Sequence, residues 1–273
     1  DFHIYFAIPD HFHKWASWVR DFATHPSWTF SYHGDAERTG QEPLLVSEFG
    51  NWGLPTLKDL LADYGEEPTW FRSGEDITQP HGVQRRFSRY HLDEIFGSYD
   101  QFAIATQWHQ FSALKYEIEE MRKYRGIAGY VITEFTDLHW EANGLLNIWR
   151  KPKVFHHQLG QFQQPDIVFA GWQRLNYWEG DLCNVEVWVS HFSAREMKEY
   201  TVEWNISDLG VAGTIPSVAV ERTDARPVGT VSFVVPPLEG SVRARLHLRL
   251  RDGQGRIVAR NVQLLSFFPT AYF

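Results

Sequence analysis

Leu44-Leu45-Val46-Ser47-Glu48-Phe49-Gly50-Asn51-Trp52-Gly53 is the stretch from which the rest of the chain is read. An apolar run follows Pro43 and stops at Ser-Glu, an aromatic residue and glycines. Strands covered on both faces of a parallel sheet are continuous apolar runs, so residues 44–46 predict a short buried strand. A carboxylate at its C-terminal end sits at the rim of an α/β sheet or barrel, where barrel enzymes keep their catalytic residues. Gly50 and Gly53 let the chain turn there and approach a ligand closely. Two readings of Glu48 stand at this point: a solvated residue at a strand end, and a catalytic carboxylate.

On the N-terminal side, residues 2–8 read as a strand stopped by Pro9. Asp10 is placed to cap a helix whose apolar residues Phe12, Trp15, Val19 and Phe22 recur at helical spacing. A polar loop over 24–42 leads to the strand that ends at Glu48. On the C-terminal side, residues 50–80 form a long loop rich in Gly, Pro, Glu and aromatics, and such loops are usually functional. A helix is predicted over 82–96, with Val83, Phe87, Tyr90 and Ile95 near one stripe. A second starts at the capping box Ser98-Tyr99-Asp100-Gln101. It carries Trp108, Phe111, Leu114, Ile118 and Met121 on one face and stops before Gly126.

Residues 129–135, Gly-Tyr-Val-Ile-Thr-Glu-Phe, read as another strand with a carboxylate, Glu134, at its end. A polar-aromatic loop with Asp137, His139, Trp140, Glu141, Asn143 and Gly144 follows. Arg150-Lys151-Pro152-Lys153 then leads into a helix near 154–163. Residues 1–163 therefore read as three βα units, which argues for a parallel sheet.

The texture changes at Gln163-Gln164-Pro165. Cys183, Val185, Val187 and Val189 alternate with polar residues or Trp188. Tyr200, Val202, Trp204 and Ile206 do the same, and so do Val242, Ala244, Leu246, Leu248 and Leu250. Asp252-Gly253-Gln254-Gly255 is a hairpin turn signal. Residues 166–273 fit a β-sandwich of immunoglobulin-like size. The arginines interleaved with 242–250 read as a solvated strand face.

Composition narrows the partners. A formal net charge of -8 argues against nucleic acid. The 12 Trp, 11 Tyr and 20 Phe include flat faces with polar handles that suit sugar rings as well as a core. The single cysteine, Cys183, excludes a disulfide framework within the chain and a Cys-rich zinc site, and its alternating context marks it as a buried small hydrophobe. No run of about 18 apolar residues is present, so no transmembrane helix is expected. No His and carboxylate cluster marks a metal site, and no cofactor is expected.

Three motifs in order carry a resemblance to a known family. They are Val46-Ser47-Glu48-Phe49-Gly50, then residues 129–137 from Gly129 to Asp137, then Asn143-Gly144-Leu145-Leu146 with Arg150-Lys151-Pro152-Lys153. They resemble the nucleophile motif, the final strand and the closing segment of the catalytic barrel of glycoside hydrolase family 2. That family includes β-galactosidases, β-glucuronidases and β-mannosidases. The resemblance implies α/β plus all-β architecture: the last three βα units of a TIM (β/α)8 barrel over 1–163, then an immunoglobulin-like β-sandwich over 166–273.

It also implies a retaining O-glycosidase with Glu48 as nucleophile. Tyr5 is then placed to donate a hydrogen bond to Glu48. His3, Glu134, Trp52 and Trp140 become candidate substrate contacts, with Trp70 a further ring in the rim loops. Many family members have a Trp where this chain has Thr133, which alters the innermost sugar subsite. Glucuronidases carry Asn-x-Lys before the closing glycine, and this chain has Glu141-Ala142-Asn143-Gly144. A neutral glycoside, a β-galactoside or β-mannoside, is therefore favoured over a uronic acid. The acid/base of the family is the Glu of an Asn-Glu pair on an earlier strand, and that dipeptide occurs nowhere in this chain. The expectation is a fragment that lacks turnover alone and self-associates through an open half-barrel. The alternative is a non-catalytic carbohydrate-binding protein on the same barrel. An unrelated α/β hydrolase is disfavoured, since no Gly-x-Ser-x-Gly elbow is present.

Overall fold

A computed structural model of the chain describes residues 3–65, 83–138 and 141–272. The chain divides into two compact units. The first comprises Asp1–Ile118 and Gly126–Leu159, the second Glu119–Arg125 and Gly160–Phe273.

In the first unit the elements run α1 (Phe12–Phe22), β1 (Leu44–Phe49), α2 (Leu57–Tyr64), α3 (Val83–Arg89), α4 (Asp93–Phe96), α5 (Tyr99–Met121) and β2 (Ile127–Ile132). Strands β1 and β2 pair in parallel, with Leu45 opposite Gly129 and Val46 opposite Tyr130. The α1 face predicted from its spacing packs inward: Trp15, Val19 and Phe22 are buried. The Trp15 ring lies 5.9 Å from that of Phe49 at the end of β1. Burying side chains of this size is worth about 1.5–3 kcal/mol each. Among the described residues two peptides are cis, Ile8–Pro9 and Thr133–Glu134.

Several expectations are corrected. Among the described residues, 3–8 form no strand: His3 makes one isolated parallel bridge to Glu48, and Ile4 N–H donates to Glu48 O at 3.0 Å. A segment with hydrogen bonds to one neighbour over so short a length gains little from pairing. Asp10 does not cap α1; His11 holds the N-cap position without a side-chain bond. Leu45, expected inside a fully buried strand, is exposed, as is Val131 of β2. Only one face of this two-stranded pair is covered among the described residues.

The helix predicted over 82–96 is two short helices, broken where His91 takes a positive φ. Tyr90 and Ile95 of its expected apolar stripe point to solvent, while Phe87 is buried. The capping box holds in part: Gln101 N–H donates to Ser98 Oγ at 3.3 Å. The α-helix expected near 154–163 is a 3-10 turn over His156–Gln161. The loop expected over 50–80 contains helix α2 in its first half, and its remainder, residues 66–80 with Trp70, lies outside the described residues.

Helix α5 departs most from the amphipathic reading. Residues 113–121 are all buried, and they include Lys115, Glu117, Glu119 and Glu120. The polar positions there face protein instead of water.

The second unit is a β-sandwich-like pair of sheets. One has three strands in the order β3 (Asp166–Gly171), β5 (Leu182–His191), β8 (Asp224–Val234). The other has five, in the order β4 (Asn176–Trp178), β10 (Ile257–Phe268), β9 (Val242–Arg251), β6 (Met197–Ile206), β7 (Val211–Val220). The period-2 alternation maps onto burial. Cys183, Val185, Val187 and Val189 point inward from β5, and Ala244, Leu246, Leu248 and Leu250 from β9. Burial pushes the Cys183 thiol up to about 11, as suits an inert core residue. Pairing is antiparallel except for the β4–β10 ladder, which is parallel. The arginine face of β9 is solvated at Arg243 and Arg245, while Arg249 donates to Asn205 Oδ1 on β6 at 2.9 Å.

Candidate active site

Glu48 is the penultimate residue of β1, where the strand gives way to the glycine-bearing loop. The Tyr5 hydroxyl donates to Glu48 Oε1 at 2.6 Å. His3 Nδ1 lies 2.9 Å from Oε2, so both carboxylate oxygens are engaged from one chain segment. The Glu48 side chain remains 33% exposed, enough for a ligand to reach it. Burial raises the Tyr5 pKa above its ordinary value, and the hydrogen bond to Glu48 pushes the same way; Tyr5 is a donor that keeps its proton. Trp52 stacks on Tyr5 with ring centroids 5.9 Å apart and is itself exposed, so its outer face is open.

Gly50 is required by close approach. A Cβ at this position would lie 2.3 Å from the Thr133 carbonyl oxygen and 3.7 Å from the Tyr5 ring. The loop after β1 thus lies against both Tyr5 and the residue before Glu134.

Glu134 follows β2, and its backbone is held by Asn143 O and Leu145 N–H at 3.2 and 2.9 Å. Its Oε1 is buried with no hydrogen-bond partner among the described residues. Burial pushes its carboxyl up to about 7, helped by the negative charges of Glu141, Asp137 and Glu48 and opposed by Lys153. A carboxyl raised in the fold adds stability below its unfolded pKa and loses it as pH rises through the folded one. The difference in unfolding midpoint between Glu134→Gln and the parent should therefore shift in favour of Gln between about pH 4.5 and 7. A difference flat across that window in a pH series of thermal melts would refute this.

The polar support of the site was not anticipated from the sequence. Lys153, quoted above only as part of a motif, is buried and forms an ion pair with Asp137 at 2.9 Å. Its Nζ also donates to Ala142 O at 2.9 Å and Gln110 Oε1 at 3.2 Å. Gln110 Nε2 in turn donates to Asn143 O at 2.8 Å, and Gly144 N–H donates to Asp137 Oδ1 at 2.8 Å. Burial raises Asp137 to about 6 against the pull of Lys153, and lowers the Lys153 pKa. The sequence signal was the set of polar residues within the apolar pattern of α5. A stripe reading sends those residues to solvent.

Of the candidate residues, the structure brings His3, Tyr5, Glu48 and Trp52 together and sets Glu134 within electrostatic reach of Glu48. Trp140 lies outside the described residues. Among the described residues no group of three or more His, Cys, Asp or Glu is placed to hold a metal ion, and no helix is long and apolar enough to cross a membrane.

No protein-family model and no curated protein matches the chain. Solved structures do. The Amycolatopsis orientalis exo-chitosanase CsxA matches with a TM-score of 0.54 at 16% identity, over 80% of this chain and 27% of that one. The exo-β-D-glucosaminidase CsxA, in a study of its inhibition by a glucosamine-configured castanospermine and an amino-australine analogue, matches at 0.53 and 18% identity, over 88% and 29%. The chain thus spans under a third of the length of these solved chains. The likeness is one of fold: mixed α/β with a β-sandwich-like part, similar to a segment of that exo-chitosanase.

Proposed function

We propose that the chain is part of a retaining β-glycosidase in which Glu48 is the nucleophile. The observation that carries this is a carboxylate at the end of a parallel strand, open to solvent, with Tyr5 and His3 on its two oxygens. In such a reaction the carboxylate attacks the anomeric carbon and forms a glycosyl ester. A second carboxyl group gives its proton to the leaving oxygen, then deprotonates the water that hydrolyses the ester. Tyr5 keeps its hydrogen on Glu48 and fixes the attacking oxygen. In retaining enzymes the two carboxyls stand about 5–5.5 Å apart. In this reading the acid/base belongs to sequence outside the chain, and residues 1–163 are the last three units of a barrel that is about 250 residues when whole. Residues 166–273 are the immunoglobulin-like domain that follows it.

The substrate of first choice is a neutral β-galactoside or β-mannoside. A second choice, an amino sugar, is favoured by the carboxylates of Glu48, Glu134 and Glu141 near one another, while Lys153, the buried cation that acts on Glu134 among the described residues, is already committed to Asp137. The exposed Leu45 and Val131 are proposed to make the chain self-associate when isolated.

The test is an activity-based glycoside that traps the nucleophile, applied to the complete protein, with the labelled peptide read by mass spectrometry. The label is expected on Glu48, and a panel of neutral and amino aryl β-glycosides separates the two substrate classes. The chain alone should show no steady turnover and a solution mass above that of a monomer. Label on another carboxylate would sink the assignment. Steady turnover by the chain alone, lost in both Glu48→Gln and Glu134→Gln, would replace it with a Glu48 and Glu134 pair.

A further inference from the structure

Asn51 sits in the loop that follows Glu48 and is 1% exposed. Its Nδ2 donates to Glu117 Oε1 at 2.8 Å and reaches Phe6 O at 3.4 Å. Phe6 is the neighbour of Tyr5. One amide therefore ties the segment that carries Tyr5 and His3 to the loop that carries Glu48. Glu117 holds that amide from α5, with none of its surface exposed. The Glu117 backbone is fixed as well: its carbonyl accepts from Trp15 Nε1 at 3.1 Å.

A carboxyl in such a place is costly unless its polar atoms are used. Glu117 Oε1 is used by Asn51, and Oε2 has no partner among the described residues. A leucine of similar size would fill the space without that cost but would offer Asn51 no acceptor. Burial holds the carboxyl well above its ordinary range, and the Asn51 bond opposes this only in part. Its use here is as an oriented acceptor.

We propose that Glu117 is a positioning residue for the Glu48 site: it aims the Asn51 amide, which fixes the Tyr5 segment against the Glu48 loop. The inference rests on Glu48 as the nucleophile for its kinetic consequence, while its structural part stands apart from that reading. Misplacement of a reacting group by about 1 Å costs on the order of 100-fold in rate.

The test uses the complete protein, three single variants and the double variant Glu117→Leu/Asn51→Ala. Glu117→Gln keeps an acceptor oxygen, and its kcat on an aryl β-glycoside should stay within about 5-fold of the parent. Glu117→Leu removes the acceptor and should lower kcat by about 10- to 100-fold with KM changed less than about 3-fold. Asn51→Ala cuts the same bond from its other end and should match Glu117→Leu. Amide hydrogen exchange over residues 48–53 should quicken in Glu117→Leu and Asn51→Ala but not in Glu117→Gln. That readout needs no turnover. If the parent protein neither labels nor turns over at Glu48, the glycosidase reading fails while exchange still decides the positioning. A Glu117→Leu protein with parental kcat and parental exchange would overturn the inference. So would additive kcat losses in the double variant, since one bond cut at both ends is lost once. Should Glu117→Leu not fold, Asn51→Ala with parental exchange would overturn it alone.

Discussion

On the proposed glycosidase reading, Glu48→Gly in the complete protein is expected to lower turnover of an aryl β-glycoside on the order of 10⁴-fold or more, the scale on which deleting a nucleophile acts. Several effects combine. The attacking oxygen is gone. Tyr5 loses its acceptor at 2.6 Å and His3 loses its partner at 2.9 Å, so two polar groups face an empty site. The missing side chain leaves space beside the anomeric carbon for a small anion. Azide should enter it, attack from the same side as the lost carboxylate, and restore part of the rate while yielding a glycosyl azide of inverted configuration. Product stereochemistry is therefore the sharper readout. Near-normal turnover without azide would remove Glu48 from the mechanism.

Lys153→Met should be the most damaging substitution for stability. The ion pair with Asp137 is closed to water, with side chains 1% and 2% exposed. Burial works against both charges, which is why Asp137 sits near 6 and the lysine is pulled down. Removing one partner leaves the other buried and uncompensated, a change that costs about 3–5 kcal/mol. Asp137 would remain pinned by Gly144 N–H, and Gln110 Oε1 and Ala142 O would lose their donor. Denaturant unfolding measures this directly. The double variant Lys153→Met/Asp137→Asn should recover a good part of the loss, because no charge is then stranded. A loss below about 1 kcal/mol in the single variant would mean that water already reaches the pair.

The elements legible in advance are those whose cause is local. The strands of the second unit follow from period-2 alternation, and Cys183 and Leu246 fall inward as that period requires. The expected bond from Tyr5 to Glu48, which followed from the resemblance of the Glu48 motif and not from a local pattern, is present. Residues 3–8 look like a strand because they hold β-formers, yet strand formation depends on neighbours that the pattern does not reveal. The break at His91 turns on one residue with positive φ, which no hydrophobic spacing encodes. The largest gap is α5. Glu117 and Glu120 lie off the apolar stripe of Trp108, Phe111, Leu114, Ile118 and Met121, yet both are buried, as is Lys115 within it. Gln110, Glu117 and Lys153 therefore came to light only through their partners.

The engagement of Glu48 by His3 and Tyr5 makes one short segment answerable for both oxygens of the carboxylate. A displacement of that segment would loosen both contacts together. A change at either residue would also be felt by the other, through the carboxylate they share. A spectroscopic label carried on this segment would therefore register events at Glu48 before any other part of the chain does.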